Sequence, residues 1–400
     1  MLSLCLVQLP NPALITQMYT SLGLLYLASV VEQAGYSVEI IDLRNGDKPL
    51  PQAEFYGFSC TTPEIDYAKK LAKRVKGTTI VGGGHASLLP EDCADYFDYV
   101  VVGEGEEIIL NFLEGNYYFP QIIKTPRILD LDKIPFPAWH KVKEPFSDYI
   151  FAGEGYGKDA PTATIIASRG CPFRCHFCGN ILRSPVTFRS VGNIIEEMRD
   201  IVAQGIRHFK FVDDNFTLHP QFEHLCEEIG GLNIQYIGHT RSDLMTNDKA
   251  RIWAKSGCVQ SGLGVESADQ AVLNLNNKRE TVEDHIKAIR ALKSAGMRVK
   301  CYFITGLPGE TDKTIELNKE FILETQPDKF TISTFTPYPG CAIYNRPRDF
   351  GIIITEPDWS RWWNFCEGKY NHVLDGQTEE QMWARYLDFS KFLKGETWKE

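Results

Sequence analysis

Three cysteines in one short segment, Cys171, Cys175 and Cys178, are the residues best suited to do chemistry. Their Cys-x3-Cys-x2-Cys spacing places three thiolates on one tight loop, and soft thiolates select iron–sulfur clusters or zinc. Three ligands leave one iron of a four-iron cluster open to a small molecule. A structural zinc would need a fourth ligand, and His176, inside the same loop, is poorly placed to supply it. We therefore expect a 4Fe-4S cluster, with zinc as the alternative.

The bulk composition narrows the classes of protein. A chain of 400 residues is long enough for two or three domains, and a net charge of −10 argues against nucleic acid as a partner. Apart from the loop, the cysteines are isolated, as expected of free thiols in a reducing compartment. The apolar start at residues 2–7 predicts a strand rather than a signal peptide. The longest uncharged apolar stretch, 21–31, is too short for a stable membrane span. We expect a cytoplasmic protein.

Two series of alternating strands and helices along the chain must provide the scaffold that positions the three loop cysteines. The first predicts an α/β, Rossmann-like domain over residues 1–118, built on a parallel sheet. Ligands bind such sheets at the carboxyl ends of the strands, where polar or glycine-rich turns follow the strands, at 59–62, 82–85 and 103–106. The predicted strands are 2–8, 37–42, 54–59, 78–81 and 99–102, and the predicted helices are 22–34, 65–76 and 106–113.

Prolines punctuate residues 119–160, which predicts a connector. Residues 161–345 then carry six strand–helix units, fewer than the eight of a closed barrel, so we expect a partial (β/α)6 TIM-type barrel. The tail, 346–400, with its tryptophans, is expected to form a short helical extension. The predicted strands of the barrel are 164–167, 208–212, 235–239, 260–265, 298–305 and 329–335.

The cysteine segment, with Pro172, Arg174 and Phe177, resembles the signature of the radical S-adenosylmethionine (SAM) superfamily. In that family the open iron chelates SAM, and electron transfer into the sulfonium yields a 5′-deoxyadenosyl radical. The resemblance implies a SAM site in the barrel, at positions that follow successive strands. Those positions are Phe177, Asp213, Asp214, Arg241, Glu266, Lys278 and Gly306.

The resemblance also implies roles for these residues. Asp213 and Asp214 would receive the SAM ammonium, Glu266 the ribose hydroxyls and Lys278 the carboxylate. Gly306, in the run 305–311, would lie in the turn that packs against adenine. Each residue also has an ordinary alternative: a helix cap for the aspartates, a surface ion pair for Arg241 and a strand-to-helix turn for Gly306.

The amino-terminal part resembles the cobalamin-binding domain that precedes the barrel in one large class of these enzymes, the class B-type radical SAM methyltransferases. The resemblance extends to the connector run 134–137. The amino-terminal part lacks the Asp-x-His-x-x-Gly loop of carrier-type cobalamin domains, so no protein histidine is expected on cobalt. The alternative is that residues 82–84 only make a tight turn. The implied cobalamin-binding residues are Ser21, Leu22, Gly23, Ser59, Thr61, Gly82, Gly83, Gly84, His85, Gly103, Glu104 and Gly105.

These resemblances together imply a cobalamin-dependent radical SAM methyltransferase. It would act on an unactivated carbon of a small molecule or of a natural-product, lipid or cofactor intermediate, and an external donor such as flavodoxin or ferredoxin would reduce it. A cyclase or oxidoreductase with the same cofactors is the first alternative, and a non-catalytic cobalamin or iron–sulfur sensor is another.

Other cysteines leave two further possibilities open. A methylthiotransferase would use Cys5, Cys60 and Cys93 for an auxiliary cluster, although buried thiols are the simpler interpretation. Cys301, Cys341 and Cys366 are likewise expected to be core thiols rather than ligands of a second cluster.

Overall fold

A computed structural model describes residues 1–11, 21–44, 46, 48–116, 120–142, 146, 160–364 and 368–395. The chain divides into two compact units. The first comprises Met1–Thr164, Thr187–Arg189 and Asp358–Trp363, and the second comprises Ile165–Val186, Ser190–Pro357 and Asn364–Glu400. Within the described ranges, every helix is too short or too polar to cross a bilayer.

The first unit contains a six-stranded sheet in which all neighbouring strands are parallel. The strands are β1 (Leu2–Gln8), β2 (Val38–Asp42), β3 (Ala53–Ser59), β4 (Thr78–Gly82), β5 (Tyr99–Val102) and β6 (Ile122–Lys124), in the order β2-β1-β3-β4-β5-β6. Five of them match the predicted strands. The sixth lies in the expected connector, because a strand of only three residues gives no readable pattern.

The strand order gives the sheet a switch point. The chain runs from β1 outward to β2 and then returns to β3 on the other side of β1. In open parallel sheets ligands bind outside the carboxyl ends of the strands at such a point. Leu4–Val7 of β1 are completely or almost completely buried, as expected for a parallel strand with both faces covered. The helices are Leu22–Gln33, Ile65–Ala72, Gly83–Leu88, Pro90–Ala94 and Glu106–Leu113.

The second six-stranded sheet runs in sequential order, β14-β13-β12-β11-β10-β7, as predicted for a partial barrel. Its strands are β7 (Thr162–Ile165), β10 (His208–Phe211), β11 (Gln235–Thr240), β12 (Cys258–Glu266), β13 (Arg298–Thr305) and β14 (Lys329–Thr334). The two-residue strands β8 (Ser168–Arg169) and β9 (Thr187–Phe188) flank the cysteine segment in sequence. The helices are Val191–Ala203, Phe222–Gly230, Asn247–Lys255, Gln270–Leu275, Val282–Ser294 and Asp312–Thr325.

Side-chain caps explain where several of these helices begin. The Ser190 and Thr246 side chains each accept a hydrogen bond from a backbone N–H of the first turn. Thr281 forms a capping box with Asp284, in which each side chain bonds to the other residue's backbone N–H. Such caps satisfy donors that have no partner inside the helix.

The tail is only partly helical. After the short helix Ala342–Asn345, β15 (Ile352–Ile354) and β16 (His372–Leu374) pair antiparallel, and a helix, Glu379–Gly395, follows. Three consecutive β-branched isoleucines favour a strand. Trp383 lies on this last helix, whereas Trp359 begins a single 3-10 turn.

Candidate active site

The cysteine loop begins at a glycine that no other residue could replace without strain. Gly170 has a φ of +101°, and a Cβ there would lie 2.0 Å from the carbonyl oxygen of Leu182. Arg183 then ties the loop together, because its guanidinium donates to the carbonyl of Phe173 at 2.9 Å and to the carbonyl of Cys178. The loop is therefore fixed by backbone contacts.

A second support comes from the residues that follow the helix Gln270–Leu275. The carbonyl of Asn276 accepts the N–H of His176 at 2.9 Å, and the side chain of Asn277 donates to the carbonyl of Arg174 at 2.7 Å. Nδ1 of His176 lies 3.1 Å from the carbonyl oxygen of Leu275. That contact is a third link between the cysteine loop and this segment.

The three loop thiols are at least partly buried, with Cys175 the most enclosed. Burial raises the pKa of all three loop thiols, so they need a metal or positive charge to be held as thiolates.

Arg241 supplies positive charge beside the loop. Its Nη1 lies 3.9 Å from Sγ of Cys175, and its guanidinium stacks 3.8 Å from the ring centre of Phe173. It forms ion pairs with Asp243 at 3.0 Å and Glu280 at 3.4 Å. The side chain is buried, so the alternative of a surface ion pair was wrong.

The expected SAM residues Glu266 and Lys278 are brought together. Nζ of Lys278 lies 3.4 Å from Glu266 and 3.0 Å from Glu280. Glu280 also accepts the backbone N–H groups of Ser242, at 2.6 Å, and Asp243, at 3.2 Å. The sequence did not single out Glu280; its nearness to Lys278 was the one available signal. It is the shared counter-charge of both buried cations.

The backbone at Glu266 is strained. Its φ is +64°, and the pairing of β12 with β13 shifts register between Gly264 and Glu266. A side chain at Gly264 would collide with Oε1 of Glu266, 2.4 Å from its Cβ, and approach Nζ of Lys278. Left-handed conformations of non-glycine residues cost about 1–3 kcal/mol and cluster at functional sites. Burial raises the pKa of Glu266, and the charge of Lys278 opposes that rise.

The two aspartates after β10 differ. Asp213 is buried and accepts the N–H of Ala167 at 3.0 and 3.1 Å and the hydroxyl of Ser168 at 2.5 Å. Burial raises its pKa to about 6. The expected contact with the SAM ammonium does not fit this geometry, because the carboxylate holds the backbone before the cysteine loop. Asp214 is exposed and accepts from Asn180 at 2.6 Å, and its role stays a prediction.

Gly306 lies in a turn covered by the tail. Its φ is +81°, and a Cβ there would lie 2.5 Å from the ring of Tyr370. Its N–H donates to Glu310 at 2.8 Å. Phe177 packs against the apolar cluster that contains Tyr370 and Leu307. The close approach that this glycine permits is thus to Tyr370, and contacts of Gly306 and Phe177 with SAM stay predictions.

The first unit offers open backbone at the carboxyl edge of its sheet, after β4. Gly82 and Gly84 have room beside them, since an added Cβ would meet no atom closer than 3.9 Å. Gly83 instead has a φ of +88° and would clash with the backbone of Cys60, so here the tight-turn interpretation is correct. The residues of the predicted cobalamin slot that are at least partly exposed are Ser21, Leu22, Gly23, Ser59, Thr61, Gly82, Gly83, Gly84, Gly103 and Gly105.

His85 does not line this slot. Its side chain is fully buried, with Nδ1 3.2 Å from the hydroxyl of Thr62 and Nε2 2.9 Å from Asp92. Burial lowers the pKa of His85. Both ring nitrogens are engaged inside the protein, so the expectation that His85 contacts cobalamin was wrong. The expectation that it is not a cobalt ligand agrees with this geometry.

Three neighbouring predicted residues serve the fold. Glu104 is buried, pairs with Arg127 at 2.5 Å and accepts a backbone N–H from Ile128. Gly103 has a φ of +107° with Thr125 packed against it. Gly105 packs against a leucine of the first helix. A direct contact of Glu104 with a corrin does not fit this packing, whereas the contact of the partly exposed Gly105 stays a prediction.

Trp359, in contrast, belongs to the first unit although it comes from the tail. Its ring lies edge-on to His85, with centroids 5.4 Å apart, and packs on the core beneath the sheet. Trp362 is buried beside it at 4.8 Å. The sequence signalled these residues only as a cluster of tryptophans.

The remaining cysteines are buried thiols. Cys5, Cys60 and Cys93 lie in the core of the first unit, and burial raises the pKa of Cys5 and Cys93 to about 12. This does not fit the exposed ligands of an auxiliary cluster. Cys301 and Cys341 are fully buried, and Cys366 lies outside the described residues.

Family models match both halves of the chain: the radical SAM superfamily at residues 165–322 and the B12 binding domain at residues 13–113. An uncharacterized methyltransferase of Pyrococcus horikoshii is 27% identical over 92% of this chain and 87% of its own length. An anaerobic magnesium-protoporphyrin IX monomethyl ester cyclase of Cereibacter sphaeroides is 29% identical over 74% of this chain. The chain spans only 54% of that cyclase.

Among solved structures, the radical SAM methyltransferase TsrM of Kitasatospora setae, with cobalamin and a 4Fe-4S cluster bound, superposes with a TM-score of 0.71. The match covers 98% of this chain and 89% of TsrM, at 16% identity. The fold is therefore shared. The chain therefore carries a radical SAM domain and a B12-binding domain. Its cofactors are a 4Fe-4S cluster and SAM in the barrel and cobalamin in the amino-terminal domain.

Proposed function

We propose that the protein is a cobalamin-dependent radical SAM methyltransferase that methylates an unactivated carbon of a small molecule. One observation carries the proposal: the two kinds of site occur in one chain. The barrel has a three-cysteine loop beside a buried lysine–glutamate pair, and the B12-binding domain has glycines after a strand that leave its backbone open. The cofactors would supply the reductive cleavage of SAM to a 5′-deoxyadenosyl radical and the carriage of a methyl group. The protein's own residues hold, orient and shield them.

In the barrel, Cys171, Cys175 and Cys178 would hold the cluster. Lys278 would bind the SAM carboxylate and Glu266 the ribose hydroxyls, since a carboxylate accepts two donors. Their present separation of 3.4 Å means that a ligand between them would replace a direct charge contact. Arg241 and Glu280 are positioning residues, because they contact the loop and Lys278 but are themselves enclosed by protein.

In the first unit, the open edge around Ser59, Gly82 and Gly84 would receive the cobalamin nucleotide tail. Cobalt would have no histidine ligand from His85, whose two nitrogens face Thr62 and Asp92. Isolated buried thiols suit a reducing compartment such as the cytoplasm. An external one-electron donor would supply the reducing equivalents.

The test separates the methyltransferase from other radical outcomes without a known substrate. Anaerobically reconstituted protein, with SAM and a chemical reductant, should release 5′-deoxyadenosine, and with cobalamin it should also release S-adenosylhomocysteine. The Cys175→Ala variant should lose the first product. Failure to retain cobalamin, or cobalamin-independent release of S-adenosylhomocysteine, would refute methyl transfer.

A cyclase with the same cofactors is the second candidate, favoured by the 29% identity to the magnesium-protoporphyrin cyclase. It predicts release of 5′-deoxyadenosine with no S-adenosylhomocysteine. A sensor would release neither product. The three outcomes are therefore distinct in one assay.

A further inference from the structure

The outer face of the cysteine loop carries a small cleft of about 280 Å³. We call it the loop cleft; it is lined by Pro172, Phe173, Arg174, Asn277, Lys278 and Arg279. Three of these six residues are cations and none is acidic. The cleft is therefore positively charged, although the chain as a whole has a net charge of −10.

Two of the three cations present their charge to solvent. Arg174 and Arg279 are exposed, and in the described part of the chain neither guanidinium is paired with a carboxylate; Arg279 donates instead to the amide oxygen of Asn277 at 3.0 Å. Lys278 is buried and neutralised by Glu266 and Glu280. The exposed surface of the cleft thus carries about two uncompensated positive charges.

This surface lies next to the cluster ligands. Pro172, Phe173 and Arg174 are the three residues that join Cys171 to Cys175. The ring of Phe173 stacks on Arg241, whose Nη1 is 3.9 Å from Sγ of Cys175. A partner seated on the cleft would be separated from the cluster by the thickness of the loop.

The surface is also held in place. Asn277 anchors the carbonyl of Arg174 at 2.7 Å, and both Asn277 and Arg279 have a φ above +50°. Left-handed residues persist only where their surroundings fix them. The two arginines are therefore carried on a backbone that is ordered by the same contacts that order the cysteine loop.

We propose that the loop cleft is the docking surface for an acidic one-electron carrier protein. The proposal rests on the proposed function, which needs a reduced cluster. One electron would leave the carrier's reduced flavin or iron–sulfur centre and enter the oxidised cluster; no covalent bond forms or breaks. A strongly negative chain repels an acidic carrier at a distance, so a local cationic surface is needed to steer it. Redox encounters are typically small and transient, which suits a patch of this size.

The experiment compares Arg174→Glu, Arg279→Glu and the double variant with Arg251→Glu. Arg251 is a matched control because it is an exposed arginine of the same unit, with 71% of its side chain accessible, on the helix Asn247–Lys255. Three quantities are measured on reconstituted protein: the affinity for an oxidised bacterial flavodoxin, the rate at which flavodoxin hydroquinone bleaches the cluster, and the rate with a photoreduced neutral deazaflavin.

At low ionic strength the double variant should bind flavodoxin at least about tenfold more weakly than the parent, and flavodoxin should reduce it at least about tenfold more slowly. The control should change by less than about twofold in both quantities. Near 1 M salt, where the Debye length is about 3 Å, parent and variant should converge. Deazaflavin should reduce all four variants equally, with equal release of 5′-deoxyadenosine. If Arg174→Glu lowers iron content, Arg279→Glu, outside the cysteine loop, carries the test alone.

Flavodoxin binding and reduction that are unchanged in the double variant at low salt would overturn the proposal. So would a cleft that binds inorganic phosphate while flavodoxin binds elsewhere, because the cleft would then be a small-anion site. A parent protein that deazaflavin reduces but that does not cleave SAM would instead refute the proposed function and leave the docking surface standing.

Discussion

Glu280 should be the most sensitive stability position near the cluster loop. Its carboxylate lies 3.4 Å from Arg241 and 3.0 Å from Lys278, and it accepts two backbone N–H groups. The side chain is 2% exposed. Glu280→Ala would leave two buried cations with one counter-charge fewer. It would also leave the buried N–H of Ser242 and the part-buried N–H of Asp243 without this acceptor.

The expected size follows from these contacts. Removing one partner of a buried ion pair costs about 3–5 kcal/mol, and each unsatisfied buried donor adds about 1–3 kcal/mol unless water reaches it. We therefore expect Glu280→Ala to destabilise the second unit by at least about 4 kcal/mol. Glu280→Gln keeps an acceptor and loses only the charge, so it should cost about 2 kcal/mol. For a domain of roughly 200 residues, 4 kcal/mol lowers Tm by about 10 °C.

Anaerobic thermal unfolding of the cluster-free protein measures this, because the predicted loss does not depend on the metal. Glu283→Ala is the matched control: it lies at the start of the helix Val282–Ser294, is 58% exposed and pairs with Lys287 at 3.5 Å. Surface pairs of this kind contribute about 0.5 kcal/mol. If Glu280→Ala unfolded within about 1 kcal/mol of the parent, the assignment of Glu280 as the shared counter-charge would be refuted.

Four other predictions concern separate parts of the chain. Burial raises the pKa of Glu310 from 4.5 to about 7. Because the folded state binds a proton that the unfolded state has lost, stability should fall by up to about 3 kcal/mol as pH rises from about 4.5 to about 7. Glu310→Gln should flatten this pH dependence, as measured by denaturant unfolding. Gly83 has a φ of +88°, and an added Cβ would lie 2.8 Å from a backbone nitrogen. Gly83→Ala should therefore lower the stability by about 1–3 kcal/mol and reduce corrin retention after gel filtration. Gly192→Ala, the control with open space around it, should do neither. Trp359→Ala should destabilise the first unit by about 2–3 kcal/mol, seen as faster limited proteolysis there; unchanged cleavage would contradict its place in that core. Cys175→Ala should retain markedly less iron and sulfide after reconstitution, and undiminished content would contradict its role as a ligand.

The sequence predicted those parts of the fold that rest on long, regular patterns. The sequential order of β10 to β14 follows from five strands separated by amphipathic helices, several of which begin at a side-chain cap. The strand Ile122–Lys124 was missed because three residues between prolines carry no periodicity. The pair formed by Ile352–Ile354 and His372–Leu374 was missed because its partners are far apart in sequence.

In the candidate site, too, the sequence predicted only what depends on residues close together along the chain. Cys171, Cys175 and Cys178 are recognisable from local spacing alone. The importance of Glu280 depends on two cations that only the fold brings to it. Asp213 was misassigned because a carboxylate at a strand end can serve a ligand or the protein equally well, and the N–H of Ala167 and the hydroxyl of Ser168 decide between them.

The assignment of Asp358–Trp363 to the first unit has a consequence for biogenesis. Domains generally fold as they leave the ribosome, amino-terminal first. Here the first unit lacks Trp359 and Trp362 until residues 165–357 of the second unit have been synthesised. A nascent chain halted before Asp358, or a fragment ending at Thr164, would leave apolar surface of that core uncovered. Completion of the corrin-binding half would thus follow the emergence of the barrel residues from the ribosome.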